Sequence, residues 1–151
     1  MKKVIVIISF VIAGLIIHSC KKDKSSEIDW KAIKECNNAM HLDTTAVASN
    51  LVGKWQLKAW YCGFCTEPGT HNPDKTVIIS FTSARLFTVT ENSTIVTQGN
   101  WYIGKVDTNN WGLQTSSPSR YLFGYILFCD NQVMFSDSYI DGADNLFDKV
   151  N

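Results

Sequence analysis

Proline is scarce, at three in 151 residues, and glycine numbers only nine. Fibrous and low-complexity chains are thereby excluded. No charge of one sign dominates, since 14 lysines and arginines face 14 aspartates and glutamates. A basic footprint for nucleic acid is therefore missing. Outside the N-terminal run only two of the three histidines remain, His41 and His71. No phosphate-binding glycine loop is present, and no nucleophile elbow accompanies His71, so no catalytic residue is expected. Hydrophobic runs also stop short of the ~20 residues that a spanning helix needs. What is present is 45% apolar and 12% aromatic residues, enough for a core, in a length that fits one domain.

The charge is unevenly placed. Five lysines against Asp23 leave residues 1–24 at +4, so residues 25–151 sum to −4. Lys2 and Lys3 are followed by an uncharged apolar run, the pattern of a secretory signal peptide over residues 1–19. The run ends in Ile17-His18-Ser19-Cys20, which resembles the lipobox of bacterial lipoproteins: an aliphatic residue, a small residue, then the cysteine that takes the lipid. His18 departs from the usual small or hydroxylated residue. The resemblance implies that Cys20 is acylated and anchors the mature chain in a membrane. Lys21 stands where aspartate is associated with inner-membrane retention, which favours the outer membrane. Residues 20–27 are polar and read as a lipidated tether.

Residues 28–50 read as a helix and linker. Trp30, Ile33, Cys36 and Met40 recur at spacings of three and four, one face of a short helix that Asp29 can cap. Asp43-Thr44-Thr45 opens a polar stretch to Asn50 and resembles the acceptor triplet of a general O-glycosylation system of some envelope bacteria. From Leu51 the period changes to two. Trp55, Leu57, Ala59 and Tyr61 alternate with Lys54, Gln56, Lys58 and Trp60, a half-buried strand. A loop containing Pro68, Gly69 and Pro73 follows. Further strands are expected at 76–81, 85–90, 94–103 (with Gly99 as a bulge), 111–115, 120–128, 132–136 and 146–150. About eight short strands with frequent turns describe an all-β antiparallel sandwich or barrel over residues 51–151. The strand at 120–128 is apolar on both faces, so one face needs cover, and the helix stripe can supply it.

Setting Cys20 aside leaves Cys36, Cys62, Cys65 and Cys129, an even number in an exported chain and hence a disulfide framework. Cys62-Gly63-Phe64-Cys65 superficially resembles a thioredoxin-type redox motif. That chemistry needs a helix N-terminus at the first cysteine, and the following Thr-Glu-Pro-Gly cannot be helical. A zinc set from these cysteines with His71 or His41 lacks a second close pair, and no metal or cofactor is expected. Asp137, Asp141, Asp144 and Asp148 lack the spacing of a calcium loop. Cys62 and Cys65 stand where the first strand ends, and Cys129 stands just past the apolar strand. The expected pairing joins Cys36 and Cys129 each to one member of the CxxC. The competing arrangement is a local Cys62–Cys65 bond with Cys36 and Cys129 joined or free.

Leu51-Val52-Gly53-Lys54-Trp55-Gln56-Leu57 resembles the opening strand of lipocalin-like domains, whose Gly-x-Trp lays an indole across the barrel floor. Phe81-Thr82-Ser83, Gly99-Asn100-Trp101-Tyr102 and the closing Phe147-Asp148-Lys149-Val150 are similar to later strands of that family. The resemblance implies a small up-and-down antiparallel β-barrel, preceded here by a short N-terminal helix. It also implies a small apolar ligand, for which Trp55, Trp101 and Tyr125 are the candidate contacts. The alternative is a protein-interaction module, such as an envelope inhibitor similar to the small barrel inhibitors of lysozyme, working through its loops. An open pocket with Trp101 and Tyr125 at its mouth favours the ligand. A filled barrel with an ordered, cross-linked loop over 62–74 favours the protein partner.

Overall fold

The computed structural model describes residues 28–107, 110–138 and 141–151. The expected signal peptide, Cys20 and the expected tether lie outside the described residues. Among the described residues two helices, α1 (Trp30–Met40) and α2 (Thr44–Leu51), precede nine strands. These are β1 (Gly53–Cys62), β2 (Gly69–His71), β3 (Val77–Phe81), β4 (Leu86–Glu91), β5 (Thr94–Lys105), β6 (Trp111–Thr115), β7 (Tyr125–Cys129), β8 (Gln132–Ser136) and β9 (Asp144–Val150). Eight of them, β1 and β3 to β9, pair antiparallel in chain order, and β9 returns to β1 to close a barrel. Closure pairs these eight strands on both sides and so removes their free edges, which invite aggregation, leaving the three-residue β2 as an edge strand. The ninth strand, β2, continues along the edge of β1 beyond β3, with Trp60 opposite His71.

Period-two alternation explains the interior. Trp55, Phe81, Phe87, Trp101, Phe135 and Phe147 all join one buried cluster. Their rings interlock: Phe81 meets Trp101 edge-on at 5.6 Å, and Phe135 meets Phe147 edge-on at 5.7 Å. Each fully buried ring or aliphatic side chain contributes about 1.5–3 kcal/mol of transfer free energy. Trp55 is 1% exposed, as its inward alternation predicts, and its indole Nε1 donates to the Leu51 carbonyl at 2.7 Å. The barrel interior is packed rather than hollow.

The first strand departs from strict alternation. Leu57 pairs with Phe147 and Ala59 with Leu146, so Lys58 is an extra residue in a bulge. Inward and outward exchange beyond it. Trp60, rather than Tyr61, faces the barrel end, while Tyr61 meets Trp30 of α1 at 5.8 Å. A second bulge falls at Val96, between the Val89–Thr97 and Thr90–Ile95 pairs, and not at Gly99. Gly99 is needed for space, because a Cβ there would crowd Ser116 Oγ and the Phe87 ring.

The expected strand at 120–128 is half loop. Only Tyr125–Cys129 pairs as β7. Gly124 has φ +76°, and a Cβ on it would overlap the Ser136 carbonyl oxygen, so the chain turns there. Tyr121 and Leu122 are buried nonetheless, because the loop folds back into the barrel cluster. Within β7 the two faces divide as expected. Ile126 and Phe128 fill the barrel, while Leu127 lies outside with Met134, Leu146 and Ile33 of α1. Helix α1, capped by Asp29, is the cover. It also serves the backbone: β6 reaches β7 at a single residue pair, and Asn37 Oδ1 accepts the Phe128 amide at 2.9 Å.

The stretch from Asp43 to Asn50 is not a polar linker but most of α2. Asp43 accepts the Ala46 amide at 2.8 Å as an N-cap, and Val47, Ala48 and Leu51 pack beneath the barrel. Leu51, expected to open the first strand, is the last residue of that helix.

The cross-pairing of cysteines is also overturned. Cys36 bonds Cys129, fastening α1 to the end of β7, and Cys62 bonds Cys65. Strand direction explains it. Cys129 lies level with Gln132, Asp148 and Gln56 across the sheet. Cys62 is six residues further along β1, about 20 Å toward the opposite end at strand rise. The CxxC turn brings its own Cα atoms to 5.7 Å, within bridging range.

Candidate functional site

The two barrel ends differ. At the floor, α2 closes the interior, Trp55 lies over Leu51, and the Arg85 guanidinium sits 4.4 Å from the Trp101 ring centre. At the other end, the mouth, the chain leaves a cleft of about 380 Å³. Its apolar lining includes Leu57, Trp60, Val77 and Tyr121; its polar lining includes Lys75, Arg120 and Asn145. The bulge at Lys58 turns Trp60 toward this space, and Asn145, opposite Trp60 in the register, comes with it.

The rim is ordered by stacking and hydrogen bonds. His71 stacks on Trp60 at 4.1 Å with ring planes 16° apart, and its Nε2 lies 2.9 Å from the Glu67 carbonyl. Trp30 of α1 donates to Thr70 Oγ1 at 2.9 Å. These contacts hold β2, and the Cys62–Cys65 bond holds the turn before it. Phe64, inside that turn, is 74% exposed.

Glu91, at the end of β4, collects the charge. It receives Lys75 Nζ at 2.7 Å, Arg120 at 2.8 Å and the Tyr121 hydroxyl at 2.7 Å. Hydrogen bonds from Lys75 first, then Tyr121 and Arg120, hold its carboxyl at about 2. Burial, reinforced by the ionised Glu91, pushes the Tyr121 phenol up to about 12. The network ties the loop before β7 across the mouth to β4. Lys75 and Arg120 therefore share one carboxylate and are not free anion receptors.

The residues expected to contact a ligand do not converge. Trp55 and Trp101, each 1% exposed, belong to the interior near the floor, and Tyr125 packs on the outer face beside α1. Asp144 accepts from the Asp137 and Ser138 amides and the Ser138 hydroxyl, and Lys34 lies 3.6 Å away. Burial and then Asp144 raise the Asp137 carboxyl above its ordinary value. Asp148 instead joins Lys58 and Gln132. Among the described residues no group of three or more His, Cys, Asp or Glu could hold a metal ion. Thr44 and Thr45 are exposed in the first turn of α2.

Fold and site together define a closed eight-stranded antiparallel barrel with a filled interior and a cross-linked mouth. Compared with known proteins, the chain matches no family model, no curated protein sequence and no solved structure.

Proposed function

We propose that this chain is a lipid-anchored bacterial envelope protein, lipocalin-like in architecture, whose barrel is a rigid stand for a protein-binding mouth. The observation that carries the protein-binding reading is Phe64, 74% exposed in a turn closed by its own disulfide. An aromatic side chain held out on a rigid turn loses little conformational freedom on binding and is the kind of anchor that dominates interface energetics. The filled interior supports the same reading, because Trp55 and Trp101 occupy the space a calyx ligand would take. The anchor rests on the basic start, the apolar run and the lipobox-like Ile17-His18-Ser19-Cys20. A diacyl or triacyl cysteine gives the stable attachment that one chain does not.

Two measurements test it in cells expressing the full chain. Cys20→Ala should abolish labelling by radioactive palmitate and release the protein from membranes; unchanged labelling refutes the anchor. A photo-crosslinking residue at position 64 should give one discrete envelope-protein adduct that is lost when Cys62 and Cys65 are replaced by serine. No adduct, or one indifferent to the disulfide, refutes the binding face.

A further inference from the structure

We infer that the mouth cleft is a second binding site, built for an uncharged hydroxylated ring of about the size of one sugar residue. The leading observation is Asn145. It is 7% exposed, it lines the cleft, and its side-chain amide has no hydrogen-bond partner among the described residues. No fully enclosed side-chain polar atom is left unpaired among the described residues, so the Asn145 amide keeps some exposed surface, and the cleft is the space this residue lines. A buried amide held against open space offers a donor and an acceptor to whatever enters. Vicinal hydroxyls present the matching acceptor and donor.

The surroundings narrow the ligand. Trp60, stacked on one side by His71, and the buried Tyr121 line the cleft together with Leu57 and Val77, an apolar wall that suits the C–H face of a saccharide. The charges balance: Lys75 and Arg120 against Glu91 and the rim residue Asp74. An anion thus finds no unpaired cation. A hydrocarbon chain would strip water from the Asn145 amide and leave it unpaired, a loss of about tenfold or more in affinity. A volume of about 380 Å³ lies at the small end of ligand sites, which run from about 300 to 1,000 Å³. This inference does not depend on the Phe64 face, and the two fail separately.

The test is nuclear magnetic resonance titration of the full chain in detergent with glucose, galactose, N-acetylglucosamine, dodecanoate and inorganic phosphate. At least one sugar should give saturable shifts centred on Trp60, Val77, Tyr121 and Asn145. Asn145→Leu should weaken that sugar about tenfold while Phe64→Ser leaves it unchanged. If Asn145→Leu fails to fold, Trp60→Leu serves as the second variant, with the same expected loss. Binding of dodecanoate or phosphate in the cleft with no response to any sugar overturns the inference. So does silence toward every probe, or sugar binding indifferent to both variants.

Discussion

Removing the two disulfides should have unequal consequences, and the inequality can be computed from the chain. Cys36 and Cys129 are separated by 93 positions, whereas Cys62 and Cys65 are separated by 3. In the chain-entropy model a closed loop of about 100 residues stabilises by about 4.7 kcal/mol, and a four-residue loop by about 2 kcal/mol. The long bridge has a second effect. It pins α1, whose Ile33 shields Leu127, Met134 and Leu146 on the outside of the barrel. Replacing Cys36 and Cys129 by alanine should therefore lower stability by about 4–5 kcal/mol. For a domain of this size that corresponds to a fall of about 12–20 °C in Tm. Amide exchange across Trp30–Met40 should accelerate first, because the helix can then leave without unfolding the barrel. Replacing Cys62 and Cys65 should cost about 2 kcal/mol at most, with exchange raised only around β2. Thermal unfolding under oxidising conditions, paired with hydrogen exchange, measures both. Equal losses, or a larger loss from the short bridge, would refute the reasoning, and a mapped Cys36–Cys62 or Cys65–Cys129 peptide would refute the topology behind it.

Further outcomes follow from the mouth and from the turn into β7. Glu91 has its folded value depressed to about 2 from an ordinary 4.5. Its stabilisation is therefore complete above about pH 4.5 and is lost as pH falls through 2. In Glu91→Gln the acid limb of the stability profile measured by circular dichroism should flatten in that window; an unchanged limb would count against the network. Gly124→Ala should destabilise by more than about 1–3 kcal/mol, since it adds a strained φ and an overlap with the Ser136 carbonyl. A neutral result in denaturant unfolding would show that β7 can begin elsewhere.

What could be read in the sequence and what could not divide along one line: whether the signal is local. The strands at Val77–Phe81, Leu86–Glu91 and Gln132–Ser136 announce themselves because each residue's face is fixed by its neighbours two positions away. Helix α1 carries its stripe and its Asp29 cap within one segment. Helix α2 was hidden because Thr44, Thr45, Ser49 and Asn50 make its composition polar, while only Val47 and Leu51 show the spacing of four that buries it. Arg120 to Gly124 carries a strand's pattern because Tyr121 and Leu122, which plug the barrel end, are as apolar as residues that line it. The pairing of cysteines depends on which end of the barrel each strand reaches. That requires the count of strand reversals and the register, and a linear inspection of cysteine neighbourhoods supplies neither. The mouth cleft is the extreme case. Trp60, Lys75, Glu91, Tyr121 and Asn145 come from five separate segments, and none sits in a motif. Trp60 faces the cleft only because Lys58 is an extra residue, and an extra residue in a strand leaves no mark in an alternation that continues on either side of it. The residues of the site were thus in plain view as ordinary strand ends and loop residues, and closure of the barrel is what makes them neighbours.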